Sequence, residues 1–282
     1  MPELPDVEAE RRRFAAAAAG RRVRRVRADP AFVRGARPGD LDRALRGRRL
    51  GEPRRWGKWL LCPAGGPFLL LHFGMTGGLV EDAEPSPYDR LVLELEGGEL
   101  RLRDVRKLGG AWLARDEEEA RDLLRGLGPD ALAVDRGTFL GRLAGRRGGA
   151  KAVLMDQGFV AGIGNLLADE ILWRARIHPR APVAGLDERA RARFHRAMLG
   201  VLRTAVARIG RPPPPGWLLR VRGEPGARCP RCRTPLSRIA AAGRTTYLCP
   251  ACQPPAEGPA GPGSGISGRR AAAPPTTRAA RA

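Results

Sequence analysis

The chain has 282 residues, of which 43% are hydrophobic, so it can bury the cores of two modest domains and a small additional module. Its formal net charge of +21 predicts a polyanionic partner, for which nucleic acid is the default. Only three of the 51 basic residues are lysine, which a GC-rich genome would explain, but codon bias does not explain their excess over 30 acids.

Segments that would direct the chain to a membrane are not apparent in the sequence. No stretch approaches the ~18 consecutive apolar residues of a membrane helix. The first residues, MPELPDVEAERRR, also lack the apolar core of a secretory signal. We therefore expect a cytoplasmic protein that does not bind membranes.

The first part of the chain predicts one helix followed by a sheet structure. Pro5–Ala19 has a proline suited to the first helical turn, and Gly20 ends the pattern. From residue 21 to 114, short apolar runs are broken by glycine and proline, as at 68–73, 90–95 and 99–103. Their alternation predicts half-buried antiparallel strands in a sandwich or barrel. We assign residues 2–115 to this domain.

The second part changes to helical periodicity and is assigned to a domain at residues 116–216. The candidate helices are Glu117–Leu127, Thr138–Leu143, Lys151–Asp156, Asn165–Ala175 and Asp187–Ile209. A stiff connector, RPPPPG at 211–216, leads to a cysteine-containing module at 217–253. Residues 254–282 are rich in proline, glycine and alanine, which predicts a disordered basic tail. The whole is an α+β protein.

Four of the five cysteines form two CxxC pairs that are separated by sixteen residues. They are Cys229, Cys232, Cys249 and Cys252. This spacing predicts one structural Zn²⁺, since four thiolates leave no open position for water, and a hairpin between the pairs. A disulfide is the alternative, and Cys62 is expected to be a buried thiol. Arg244 lies on the hairpin and suits either phosphate contact or solvent.

The first residues, Met1-Pro2-Glu3, form a candidate catalytic group. Initiator methionine is normally removed before a small residue, which would leave Pro2 with a free secondary amine. An α-amino group has a pKa of about 7.7–8.0, against about 10.4 for lysine, so it is the better nucleophile near neutral pH. Its attack on an aldehyde-level carbon gives an iminium ion, which accepts electrons. Glu3 is placed to move protons there. Lys58 begins a strand, where a merely solvated role is the alternative.

Four segments, in the same order, resemble bacterial formamidopyrimidine-DNA glycosylases, the family that also contains endonuclease VIII. They are MPELPDVE (1–8), GKWLL (57–61), MDQGFVAGIGNLLADEILWRARIHP (155–179) and CPRC…GRTTYLCPACQ (229–253). The third resembles the helix–two-turn–helix DNA-binding motif and the fourth the zinc finger of that family. The resemblance implies a bacterial base-excision-repair enzyme, a monomer that acts at the nucleoid on double-stranded DNA containing oxidised bases or abasic sites.

By this resemblance, Pro2 attacks C1′ of the damaged nucleotide and expels the base, Glu3 protonates the opening sugar, and Lys58 contacts a nearby phosphate. The resulting Schiff base allows β-elimination and then δ-elimination, so the strand is cut. The implied DNA contacts are Lys151, Asn165 and Arg244 on phosphates, Met75 of the void-filling loop that begins at His72, Arg106 on the orphaned base, and Leu108 as a wedge. Gly162–Asn165, before a helix, adds a phosphate site by its backbone N–H groups.

The sequence departs from the family pattern in three places. Leu108 stands where an aromatic wedge is frequent, and Asp6 replaces the usual glutamate. The long loop that covers oxidised guanine is replaced by the connector at 211–216, whose four prolines offer no backbone N–H. We therefore expect a preference for oxidised pyrimidines, ring-opened purines, hydantoins or abasic sites, rather than 8-oxoguanine.

Three alternatives stay open at this point. The chain could be a catalytically inactive relative, a zinc protein that binds DNA lesions. It could act mainly on abasic sites as a lyase. An unrelated zinc-finger transcription regulator would explain the charge and the cysteines, but not the N-terminal motif or the order of the segments.

Overall fold

The computed structural model describes residues 2–255, so the predicted tail lies outside the described residues except for its first two. The seven α-helices among these residues are α1 (Leu4–Ala18), α2 (Pro38–Leu45), α3 (Glu117–Leu123), α4 (Arg136–Ala144), α5 (Ala150–Met155), α6 (Asn165–Ala175) and α7 (Glu188–Ala207). None of them is long and apolar enough to cross a bilayer.

The eleven strands of residues 2–255 fall into two larger sheets and a hairpin. They are β1 (Val23–Ala28), β2 (Val33–Arg34), β3 (Arg54–Trp56), β4 (Trp59–Pro63), β5 (Phe68–His72), β6 (Gly78–Glu81), β7 (Asp89–Leu95), β8 (Gly98–Arg103), β9 (Gly110–Ala114), β10 (Ser237–Ala241) and β11 (Arg244–Leu248). The sheet orders are β1-β7-β8-β6 and β2-β9-β5-β4-β3, and β10 pairs with β11. Every pairing is antiparallel except that of β2 with β9.

The two larger sheets form the predicted sandwich. Alternate leucines of β7 and β8 point inward, among them Leu91, Leu93 and Leu102, and they share one core with Leu60 and Leu71 of the opposite sheet. Cys62 lies in this core and is completely buried, as expected.

Helix α2 was not predicted, because its eight residues fall within the region of strand-like runs. Leu41 and Leu45, four residues apart, are fully buried in the sandwich core. Asp42 on the same helix accepts a hydrogen bond from the backbone N–H of Val26 at 2.7 Å, which ties α2 to β1. The sequence does carry a start signal, Pro38 and then Asp40 in the first turn.

A second core lies between the helices α4, α5, α6 and α7. Phe139 is at its centre, with edge-to-face contacts to Phe159 and Phe194 at centroid distances of 5.2 and 5.6 Å. Helix α1 contributes to both cores, since Leu4 packs in the helical core while Val7 packs in the sandwich. The chain's first residues therefore lie at the junction of the two cores.

Candidate active site

The carboxylate of Glu3 is bound by the N-terminus of α6. It accepts hydrogen bonds from the backbone N–H groups of Gly164 (3.0 Å), Leu166 (2.8 Å) and Leu167 (3.1 Å). A Cβ atom on Gly164 would lie 2.5 Å from Cδ of Glu3, so only glycine permits this approach. The helix N-terminus, which we expected to hold a phosphate through Gly162–Asn165, thus binds a carboxylate of the chain itself.

Burial determines the acidity of this carboxyl. Glu3 is only 4% exposed. Desolvation raises the pKa of Glu3 above its ordinary value, while the N–H of Leu166 and the charge of Lys58 act in the opposite direction. Such a carboxyl keeps its proton to a higher pH than an exposed one, which is what a general acid requires.

Lys58 lies near enough for its charge to lower the pKa of Glu3, because a tight turn docks on the helical half of the protein. Gly57 begins the turn between β3 and β4 with a φ of +58°, and its N–H donates to Asp130 at 2.8 Å. Arg55 forms an ion pair with the same carboxylate. A Cβ atom on Gly57 would lie 2.6 Å from Cβ of Ala161. The turn therefore packs directly against the segment that contains Ala161.

The charges around Lys58 perturb one another. Burial lowers the pKa of Lys58, whereas the charges of Glu3 and Asp6 raise it. Burial also lowers the pKa of His72, and the charge of Lys58 lowers it further. His72, predicted to lie at the DNA, is therefore a neighbour of this group, and its Nδ1 accepts from the N–H of Gly74 at 3.2 Å. Pro2 is half-buried beside Glu3.

Replacing Gly57 with alanine is expected to lower the rate of the reaction expected at this site about a hundredfold. The new methyl group would move Lys58 away from Glu3 by about 1 Å or more. The control is Gly47→Ala. Gly47 has a φ of +77°, but nothing lies within 4 Å of its added Cβ atom. Both variants should lose about 1–2 kcal/mol of stability from backbone strain, measured by urea unfolding. Gly57→Ala should lose more than this, because its methyl group also overlaps Ala161. An equal loss of activity in both would contradict this account of the turn.

Two neighbouring loops present the residues predicted to enter the DNA. Nη1 of Arg106 lies 3.3 Å from Sδ of Met75. Met75 is 39% exposed and Leu108 is 51% exposed. Asp104, which the sequence analysis did not single out, is completely buried and accepts from the hydroxyl of Thr76 at 2.5 Å and from the N–H of Arg106 at 3.1 Å. This carboxylate holds the two loops together.

Asn165 and Arg244 lie where α6 meets the zinc hairpin. Nδ2 of Asn165 donates to the carbonyl of Thr245 at 3.3 Å. Its Oδ1 is buried without a hydrogen-bond partner in the described part of the chain. The side chain of Arg244, at the start of β11, is exposed.

Lys151, which the family resemblance places at a phosphate, is enclosed by other residues of the chain. Its side chain is fully buried, and Nζ donates to Asp169 at 2.6 Å and to the hydroxyl of Thr246 at 2.7 Å. Asp169 also accepts from Nε of Arg222 at 2.8 Å. Because these residues come from α5, α6, the segment before the hairpin and β11, the ammonium group joins the helical core to the hairpin.

We expect Lys151→Met to lower the free energy of unfolding by about 3 kcal/mol, since it leaves Asp169 in a buried site with one cation fewer. Lys107→Met is the matched control. Lys107 pairs with Asp29 at 2.9 Å but is 44% exposed, so its loss should cost less than about 1 kcal/mol. Urea midpoints of the two variants test the difference, and equal midpoints would refute the structural role of Lys151.

The four predicted zinc ligands come together. Their sulfur atoms all lie within 4.8 Å of one another, and two of the separations are 3.4 Å (Cys232–Cys249) and 3.9 Å (Cys229–Cys252). A tetrahedral ion with Zn–S bonds of ~2.3 Å separates its sulfurs by about 3.8 Å, so the site fits one structural Zn²⁺.

The zinc hairpin is docked on α6 and the turn that follows it. Nε1 of Trp173 donates to Sγ of Cys229 at 3.3 Å. Nε2 of Gln253, completely buried, donates to the carbonyl of Ile177 at 2.8 Å. The element that binds Glu3 at its N-terminus thus carries the zinc site against its C-terminal half.

Three buried acids that organise this site were missed by the sequence analysis. They are Asp104, Asp130 and Asp169. Each interrupts or borders an apolar stretch, as in LADEIL at 167–172, and an acid in such a setting usually has a partner. The identity of the partners depends on long-range contacts that no local pattern contains.

Three family models match successive parts of the chain. Residues 1–111 match the Formamidopyrimidine-DNA glycosylase N-terminal domain, residues 127–211 the Formamidopyrimidine-DNA glycosylase H2TH domain, and residues 226–255 the zinc finger found in FPG and IleRS. Together the matches include the Glu3–Lys58 group, α6 and the four cysteines.

Individual relatives are similar over most of the chain. The formamidopyrimidine-DNA glycosylase of Thermus thermophilus is 40% identical over 279 residues, which cover 92% of this chain and all of the relative. That of Geobacter sulfurreducens is 37% identical over 270 residues, with 90% and 100% covered. The Lactococcus lactis protein Fpg (MutM), solved with DNA containing N7-benzyl-Fapy-dG, superimposes with a TM-score of 0.81 at 30% identity, and covers 90% of this chain and 100% of its own.

Proposed function

Since the chain belongs to the formamidopyrimidine-DNA glycosylase family, whose members are bifunctional DNA glycosylases and AP lyases of base excision repair, we propose that its reaction runs through the imino nitrogen of Pro2. The substrate is double-stranded DNA that contains oxidised bases or abasic sites. The observation that carries the proposal is the buried carboxyl of Glu3, which α6 holds beside Pro2 and Lys58.

The chemistry needs a nucleophile and a proton donor at the same sugar. After removal of the preceding methionine, the nitrogen lone pair of Pro2 forms a bond to C1′ and the bond from C1′ to the base breaks. The base leaves with that electron pair and takes up the proton that the Pro2 nitrogen loses. The carboxyl of Glu3 gives its proton to the sugar ring oxygen as the ring opens, which leaves an iminium ion at C1′.

Strand cleavage follows from the iminium ion. Its positive charge acidifies the C2′ proton, and loss of that proton expels the 3′ phosphate by β-elimination. A second, δ-elimination expels the 5′ phosphate. We assign Lys58 to the phosphate next to the reacting sugar, where its charge stabilises the leaving group. The charge of Lys58 beside Glu3 supports this assignment.

We assign DNA binding to two surfaces. Asn165 and Arg244, at the junction of α6 and the zinc hairpin, would hold phosphates that flank the lesion. Met75 would fill the gap left by the extruded base, with Arg106 on the orphaned partner base and Leu108 as the wedge. The exposure of Met75 and Leu108 and the contact between Met75 and Arg106 support this arrangement.

We further assign a broad lesion preference: oxidised pyrimidines, ring-opened purines, hydantoins and abasic sites. The support is the short connector after α7, in which Pro212–Pro215 cannot donate backbone hydrogen bonds to a base. A panel of duplexes with single lesions tests this, and a strong preference for 8-oxoguanine opposite cytosine would contradict it.

The central test is borohydride trapping on abasic DNA, together with the intact mass of the protein. Wild-type protein without Met1 should form a covalent adduct. Pro2→Gly should form at least about tenfold less adduct, because a primary amine gives a neutral imine that must first gain a proton. The nucleophile is misassigned if protein that retains Met1 still cleaves damaged strands, or if no reducible adduct forms.

A further inference from the structure

A cavity of about 260 Å³ opens beside Glu3. It is lined on one side by the first turns of α1 and α6. On the other side lie the C-terminal end of α7 and residues 209–214, which include the first part of the connector. Pockets for drug-sized ligands have volumes of about 300–1,000 Å³. The cavity is slightly smaller than these, which suits a single nucleobase extruded toward Glu3.

The backbone around the cavity offers few free donors. Pro212–Pro214 line it and have no N–H. The N–H groups of Leu166 and Leu167, which also line it, are bound to Glu3. A base in this cavity must therefore take its hydrogen bonds mainly from side chains, while the exposed side chain of Leu166 gives it an apolar surface.

Arg208 supplies such a donor. It directly follows α7 and lines the cavity. Its Nε is buried and has no hydrogen-bond partner within residues 2–255, and its Nη2 only reaches the carbonyl of Pro212 at 3.5 Å. A buried donor without an acceptor is unfavourable, so an oxygen that enters the cavity would stabilise the guanidinium.

Asp6 lines the same cavity and complements Arg208. Its Oδ2 accepts from the backbone N–H of Glu3 at 2.8 Å, and a carboxylate has further lone pairs. The cavity thus presents a cationic donor and an anionic acceptor. Bases with a carbonyl next to an N–H match both groups, and this amide-type edge occurs in oxidised and ring-opened guanine, hydantoins and oxidised pyrimidines.

We propose that Arg208 is a specificity-determining residue, whose guanidinium donates to a carbonyl oxygen of the extruded base while Asp6 accepts from the neighbouring N–H. This inference rests on the proposed function, since it assumes that a base enters the cavity beside Glu3. It assigns recognition to a side chain at the end of α7 in place of a covering loop.

Arg208→Met tests the inference, because methionine keeps an unbranched apolar chain but donates no hydrogen bond. Single-turnover excision of an oxidised pyrimidine, ring-opened guanine and a hydantoin should each fall about tenfold to a hundredfold. β-Elimination at a preformed abasic site, which holds no base, should stay at the wild-type rate in the same preparation. Arg203→Met, an exposed arginine on α7 that does not line the cavity, is the control for lost charge and should leave excision unchanged.

The outcomes separate the inference from the function on which it rests. If wild-type protein forms no borohydride-trapped adduct on abasic DNA, the proposed function fails. If the adduct forms but Arg208→Met excises all three bases normally, or loses abasic-site cleavage to the same extent, Arg208 does not read the base. An equal loss in Arg203→Met would also overturn the inference, since the effect would then be one of net charge.

Discussion

Glu3→Gln should lower the rate of base excision by about 10²- to 10⁴-fold, the usual contribution of a positioned general acid or base. The amide has no proton acidic enough to give to the opening sugar. Adduct formation with a preformed abasic site should decrease less, because no base has to leave. Single-turnover excision and borohydride trapping on the two kinds of duplex measure the difference.

The same substitution also disturbs the fold. The N-terminus of α6 directs three N–H donors at the carboxylate of Glu3, and an amide NH₂ in that place opposes at least one of them. We expect a loss of about 1–3 kcal/mol in the free energy of unfolding. Activities must therefore be compared at a temperature at which both proteins are folded.

Glu10→Gln is a matched control for this experiment. Glu10 is on α1, the helix that begins directly after Glu3, and its carboxylate accepts from the backbone N–H of Leu79 at 2.9 Å and pairs with Arg13. Burial raises the pKa of Glu10, as it does for Glu3, but Lys58 is not among its charged neighbours. Glu10→Gln should thus lose stability but not excision. Normal excision by Glu3→Gln, or an equal loss in the two variants, would refute the role of Glu3.

Removal of zinc is expected to have the second large effect, on DNA affinity. The binding free energy of a structural Zn²⁺ is about 10–16 kcal/mol in small zinc modules, where it is also the free energy of folding. Without the metal, β10 and β11 should lose their pairing, and Arg244 its position. The affinity for a duplex with an abasic-site analogue should fall about tenfold to a hundredfold, the worth of a charged hydrogen bond.

Cys232→Ser and chelation of the wild-type protein both test this prediction. Fluorescence anisotropy gives the affinity, native mass spectrometry the metal content, and circular dichroism the strand content. Cys62→Ala is the control, because it removes a thiol from the sandwich core and leaves all four ligands. Metal-free protein that binds the duplex as tightly as the holoprotein would contradict a role for the hairpin in DNA binding.

The loss of zinc should also reach the active site, since the hairpin and Glu3 share α6. Cys229 accepts from Trp173, and the backbone N–H of Tyr247 donates to Asp169 at 3.2 Å. Both partners lie on α6, whose first N–H groups bind Glu3. Zinc-free protein should accordingly excise bases more slowly even at saturating DNA.

Local patterns in the sequence predicted most of the elements. The helix predicted at Asn165–Ala175 has the same bounds in the structure. Its apolar stripe starts directly after Gly162 and Gly164, and these glycines keep the helix from starting earlier. The cysteine spacing likewise determined the zinc site. Helix α2 was missed, since its eight residues are too few to show a helical period between the strands.

Tertiary partners could not be predicted in the same way. The sequence indicated that the N-terminus of α6 binds an anion, but not that Glu3, about 160 residues earlier, is that anion. The surroundings of Lys151 also depend on tertiary contacts. A lysine near a DNA-binding motif resembles a phosphate ligand until Asp169 and Thr246 are seen to enclose it.

Helix α1 restricts how this protein can exchange parts with its relatives. Leu4 packs in the helical core, while Val7, one turn later, packs in the sandwich core. The N–H of Leu4 also donates to the carbonyl of Gly162 at 2.9 Å. In a chimaera that joined the sandwich of one homologue to the helices of another, the segment that begins with Pro2 would pack against one core that did not match it. Recombination between homologues should therefore preserve the two halves as a co-inherited pair.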